Sequence, residues 1–107
     1  MPPVDFLAPL DDEGLEWIRC RFTTERGQVT IFTIQYETTV GEQTMPVARY
    51  DNAHGFPHRD LLDRRGRIIA KSPLAGAPTP KEALHIGERD IVENWQRYRQ
   101  RFFGDQG

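Results

Sequence analysis

Twelve consecutive residues, Arg49-Tyr50-Asp51-Asn52-Ala53-His54-Gly55-Phe56-Pro57-His58-Arg59-Asp60, hold two of the chain's three histidines together with two aspartates, two arginines and a tyrosine. Histidine titrates near pH 6.5 (roughly), so one imidazole can take a proton while another gives it. Guanidinium groups are shaped to hold phosphate oxygens. That equipment suits a ribonuclease that uses the RNA's own 2′-hydroxyl as nucleophile. In this reading Arg49, Asp51, His54, His58 and Arg59 are the catalytic candidates, and Tyr50, Asn52 and Asp60 contact the substrate. The chemistry needs no cofactor. Two alternatives stay open. Histidines four apart with flanking carboxylates could instead ligate a divalent metal, although the spacing alone is weak evidence. The same groups could also be polar residues on a rigid turn, presented to a partner protein. Turn chemistry accounts fully for Asn52 and Gly55, because Asx side chains bond their own backbone and glycine supplies positive φ. It does not account for histidine.

The elements that must place these groups are short strands. Ile18, Cys20 and Phe22 alternate with polar residues between Leu15 and Thr24, and Phe32, Ile34 and Tyr36 do so between Gln28 and Thr39; alternation of this kind marks half-buried strands. Putting both apolar sets on one face requires even positions to pair with even. A three-residue loop, Glu25-Arg26-Gly27, with Thr24 opposite Gln28, keeps that parity and gives Gly27 the left-handed position. Thr44–Asp51 reads as a third strand, with Pro46 at an edge or bulge. Phe56–Leu62 is a fourth strand, Asp63–Gly66 a turn with Gly66 left-handed, and Arg67–Lys71 a short fifth. A tight Asn52–Gly55 loop would bring Asp51, His54 and His58 to one end of the sheet, with His58 at its surface.

Thr79-Pro80-Lys81-Glu82 is a capping box that starts a helix over 79–103. Leu84, Ile91, Trp95, Tyr98 and Phe102 share one face of it. Trp95 and Tyr98 should pack on the sheet face that carries Cys20, Phe22, Phe32 and Ile34. Gly87 costs about 1 kcal/mol in a helix and implies close packing against the sheet. Arg97, Arg99 and Arg101, interleaved with aromatics, are either a nucleic-acid patch or charges that complement the helix C-terminus.

At 107 residues the chain is one domain, with residues 1–14 an extended arm. The fold class is α+β, an antiparallel meander of four to five strands against one long C-terminal helix. A net charge of −2 argues against general polyanion coating. The single cysteine, Cys20, excludes an intrachain disulfide, fits a reducing cytoplasm, and reads as a core residue. No apolar run approaches the roughly 18 residues of a membrane span, and the acidic N-terminus lacks a signal-peptide layout.

The segments "RYDNAHGFPHRDLLDRRGR" and "ALHIGERDIVENWQRYR" resemble small uncharacterised prokaryotic proteins that carry an Arg-Tyr-Asp-Asn-Ala-His-Gly-x-x-His-Arg block. The block is also similar to one in TumE-like toxins of toxin–antitoxin pairs. Arg49, Asp51, Asn52, Ala53, His54 and His58 match, and Asp60 stands where those chains have a further histidine. The resemblance implies a toxin-like, RNA-acting protein with a small cognate partner. The rival expectation is a non-enzymatic interaction module or homodimer.

Overall fold

The computed structural model describes residues 3–53 and 55–104. Strands β1 (Val4–Pro9), β2 (Glu16–Glu25), β3 (Gln28–Val40), β4 (Gln43–Asp51), β5 (His58–Leu62) and β6 (Ile68–Pro73) form one sheet in chain order, and helix α1 (Pro80–Phe102) follows. Every neighbouring pair is antiparallel. The α+β meander is as expected, with six strands rather than four or five. The additional strand is the N-terminal arm, whose extended backbone pairs with β2 from Val4 opposite Phe22 to Pro9 opposite Trp17.

The first long hairpin keeps the expected parity by a different device. Phe22 faces Phe32, Cys20 faces Ile34 and Ile18 faces Tyr36. The turn, however, has two residues and not three. Glu25 pairs with Gln28, and Arg26 (φ 54°) and Gly27 (φ 79°) both lie in the left-handed region that a tight primed turn demands. Thr24 then pairs with Val29 and Thr23 with Ile31, so Thr30 is an extra residue in β3. This bulge restores the phase that a two-residue turn alone would break. Arginine seldom adopts a positive φ, which is why the sequence did not reveal the shorter turn. A second bulge lies where Pro46 removes a ladder donor: Glu37 pairs with Pro46 but Tyr36 with Ala48, leaving Val47 as the extra residue.

α1 starts as its sequence dictates. Thr79 Oγ1 accepts from the Glu82 amide at 3.2 Å, and Glu82 Oε1 accepts from the Thr79 amide at 2.9 Å. The helix buries Ala83, Leu84, Gly87, Ile91 and Phe102 against the sheet face that carries Ile18, Cys20, Phe32, Ile34, Tyr36 and Tyr50. Trp95 packs edge-on to Tyr36, with centroids 6.1 Å apart. Two carboxylates are among the polar ties that bind helix to sheet. Buried Glu16 accepts from Tyr36 Oη at 2.6 Å and from Arg99 Nε at 3.0 Å. Asp90 accepts from Tyr50 Oη at 2.6 Å and also from Tyr98 Oη. Burial and these acids push both sheet tyrosine hydroxyls well above the usual range. No helix among the described residues is long and apolar enough to cross a membrane.

Gly87 marks the closest approach. A Cβ there would sit 2.7 Å from Ile34 Cγ2 and 2.8 Å from Tyr50 Cγ. Gly87→Ala gains helix propensity but forces the helix away from the sheet, and the expected net loss is about 1–3 kcal/mol in urea unfolding. Cys20, buried in the core, has its thiol pushed up to about 11 by burial, with smaller contributions from Glu88 and Asp5. The folded value lies above the ordinary 9.0, so stability is whole below about pH 9 and falls as the pH rises towards 11. The native thiol should be inert to a disulfide reagent at pH 7.5 and become reactive on unfolding.

Candidate functional site

Antiparallel pairing places directly opposed residues on the same sheet face. Asp51 stands opposite His58 across β4–β5, and Asp60 opposite Lys71 across β5–β6. All four share the face turned away from α1. Their convergence depends on a third bulge. Leu62 pairs with Ile68, so an unbroken ladder would put Ala70 opposite Asp60. The shift between Leu61 and Leu62 puts Lys71 there instead. Sequence reading missed Lys71 for this reason, since nothing in Ile68-Ile69-Ala70-Lys71 announces a one-residue shift.

His58 is the centre. It is 1% exposed, and Asp51 and Asp60 are buried beside it. Its Nδ1 lies 3.2 Å from the Phe56 carbonyl oxygen. A carbonyl can only accept, so Nδ1 carries the proton in this contact. Nε2 lies 3.2 Å from Asp51 Oδ1, 3.4 Å from Asp60 Oδ2 and 3.0 Å from Lys71 Nζ. Lys71 Nζ also donates to Asp60 Oδ1 at 2.8 Å. A lone pair on Nε2 accepts from Lys71, whereas a proton on Nε2 donates to Asp51; the two bonds exclude each other. With a neutral ring the two carboxylates and the ammonium sum to −1, and a proton on Nε2 brings the sum to zero. The Phe56 ring lies 5.5 Å from the imidazole, and Lys71 is the member that reaches solvent, its side chain 40% exposed. Asp51, His58 and Asp60 offer ligand atoms within 4.8 Å of one another, a span a divalent cation could bridge. The Lys71 ammonium already stands between two of those atoms.

Other expected site residues are placed differently. Arg49 shares the face of the cluster, opposite Asp60, and its Nε donates to Gln35 Oε1 at 2.8 Å. Gln35 in turn donates to Glu37, which also accepts from Arg19. Tyr50 and Arg59 lie opposite each other on the helix face, behind the cluster. Tyr50 bonds Asp90, and Arg59 Nη1 donates to Tyr98 Oη at 3.3 Å. Strand alternation alone sets this: neighbours of Asp51 and His58 must point the other way. Asn52 is part of the scaffold. Its Oδ1 accepts from the Phe32 amide at 3.0 Å and its Nδ2 donates to the Thr30 carbonyl at 2.9 Å. The side chain thus continues the β3–β4 ladder one step past the end of β4. The expectation for His54 lies outside the described residues. His58 is buried, which corrects the expectation of a surface histidine: its strand, β5, lies between β4 and β6, which cover it from both sides.

The basic end of α1 is mostly engaged with the fold. Arg99 pairs with Glu16, and Arg101 donates to the Leu62 and Val47 carbonyls at 2.9 and 3.0 Å.

Asn52→Ala leaves the Phe32 amide and Thr30 carbonyl without their partner. The expected cost is about 1–3 kcal/mol in chemical denaturation, with faster hydrogen exchange at the Phe32 amide.

No curated protein and no solved structure matches this chain. A family model does match over its whole length, residues 1–107, so the chain belongs to the family described as a domain of unknown function, DUF7718.

Proposed function

We propose that the Asp51–His58–Asp60–Lys71 cluster is an acid–base site that cleaves RNA through the substrate's own 2′-hydroxyl. The observation that carries this is the environment of His58 Nε2: one nitrogen faces an ammonium that it can accept from and a carboxylate that it can donate to. The Phe56 carbonyl holds the other nitrogen and so fixes which one works. Nε2 takes the 2′-hydroxyl proton and passes from Lys71 to Asp51 as its partner. The 2′-oxygen attacks phosphorus, and the bond to the 5′-oxygen breaks. Lys71, released and solvent-reaching, gives that oxygen a proton. The products are a 2′,3′-cyclic phosphate and a 5′-hydroxyl. Asp60 positions Lys71, and Phe56 packs against the working ring.

A second reading rests on a separate observation. Apolar residues stand exposed at both unpaired sheet edges, Val4, Phe6 and Leu7 on β1 and Ile68 and Ile69 on β6. Unpaired edges of this kind accept a partner strand. They support a non-enzymatic interaction module or a homodimer, in which the cluster only clasps β4, β5 and β6.

Purified protein incubated with a structured and an unstructured RNA in EDTA separates the two. Cleavage leaving cyclic phosphate ends, lowered about 10²–10⁴-fold in His58→Gln and also reduced in Lys71→Gln, is the expected result. Removing one partner of a buried charged set can cost about 3–5 kcal/mol, so circular dichroism must show each variant folded. Inert wild type, or equal cleavage by wild type and a folded His58→Gln, rejects the acid–base reading in favour of the module.

A further inference from the structure

On the helix side of β5, behind the cluster, α1 and the sheet leave a cleft of about 300 Å³ lined by Arg59, Leu61, Asp90, Asn94, Arg97, Tyr98 and Arg101. Three guanidiniums share it, in a chain whose net charge is −2. Among the described residues none of the three is in an ion pair. Arg59 donates to a neutral tyrosine hydroxyl, Arg101 to two backbone carbonyls, and Arg97 to the Asn94 side chain at 3.3 Å. The Nε groups of Arg59 and Arg101 are buried with no hydrogen-bond partner.

Asp90 does not neutralise them by direct contact. Its carboxylate is taken up by Tyr50 Oη, Tyr98 Oη and Asn94 Nδ2. Burial lowers the Arg101 guanidinium and the positive charge of Arg59 adds to that, while Tyr98 and, more weakly, Asp63 work the other way. Burial also works against the Arg59 charge, but the hydroxyls of Tyr98 and Tyr50 together more than offset the loss. Partly buried like charges that make no ion pair gain when an anion joins them.

We infer that this cleft is an anion site, distinct from the His58 cluster and independent of the acid–base reading, and that its ligand is a phosphate group. Arg59 and Arg97 supply charge-assisted donors in the fork geometry that tetrahedral oxyanions accept. Tyr98 and Asn94 supply the neutral polar wall. Arg101 is a positioning residue, because it spends its terminal donors on the Val47 and Leu62 carbonyls and so fixes the floor of the cleft. The phosphate could belong to a small phosphorylated molecule or to a nucleic-acid backbone.

The test uses the buried Nε–H groups, whose burial shields them from solvent exchange and should keep them visible in ¹H–¹⁵N spectra. Inorganic phosphate, pyrophosphate and a twelve-nucleotide RNA are titrated separately, with chloride at matched ionic strength as control. Saturable shifts of the Arg59 and Arg101 Nε signals are expected with at least one phosphate ligand and not with chloride. Arg59→Gln and Arg97→Gln should each weaken that binding about tenfold, the loss of one charged donor. Arg101→Gln is left out of the test because it also removes bonds that hold the helix to β4 and β5. Tighter binding of the RNA than of phosphate assigns the site to a nucleic-acid backbone; binding of pyrophosphate without RNA assigns it to a small phosphorylated ligand. Equal shifts with chloride, or binding unchanged in both variants, would overturn the inference.

Discussion

The site depends on a register that the bulges set. A strand that slips by one residue sends every side chain to the other face, and the cluster needs Asp51, His58, Asp60 and Lys71 on one face together. Asp51 and His58 obtain this from the short β4–β5 ladder, and Asp60 and Lys71 from the shift between Leu61 and Leu62. The Asn52 side chain extends β3–β4 pairing at the same place and fixes where the chain leaves the sheet. That bond pair meets β3 at Thr30, the residue that the first bulge inserts. The first hairpin and the site are thus mechanically continuous, although residues 23–31 hold no candidate chemistry.

The two sheet faces divide the polar groups into separate systems. One face carries the His58 cluster and, beyond it, the line from Arg49 through Gln35 and Glu37 to Arg19. The other carries α1 with its two carboxylate ties, Glu16 and Asp90, each bonded to a sheet tyrosine and a helix residue. Arg59 and His58 are neighbours in sequence yet belong to different systems. A short motif spread over two strands therefore contributes to two polar systems rather than one, because alternation sends neighbours along each strand to opposite faces.

What the sequence disclosed follows the strength of each local signal. The capping box at Thr79, the inward stripe from Leu84 to Phe102, the close approach at Gly87 and the even-to-even pairing of Phe22 with Phe32 were all legible, since each rests on periodicity or on one residue's geometry. Left-handed Gly27 and Gly66 were legible too. The turn length was not, because Arg26 adopts a conformation that few side chains favour and a bulge hides the change of phase. Lys71 was hidden by the same kind of device. The strand β1 was missed because the prolines and acids of residues 1–14 mask a pairing that β2 supplies from outside. Asp51, His58 and Asp60 were found from residue type alone, and their burial was not, since three separate strands create it.

The central claim is that the neutral His58 ring carries its proton on Nδ1, tied to the Phe56 carbonyl, so that Nε2, in contact with Lys71, has the lone pair that takes a substrate proton. Long-range ¹H–¹⁵N correlation of the imidazole across a pH series reads this directly. The neutral ring is expected as the Nδ1–H tautomer, with Nε2 giving the signal of an unprotonated nitrogen. An Nε2–H tautomer, or a ring that keeps both protons throughout the pH range in which the protein stays folded, leaves no lone pair for the chemistry and would contradict it.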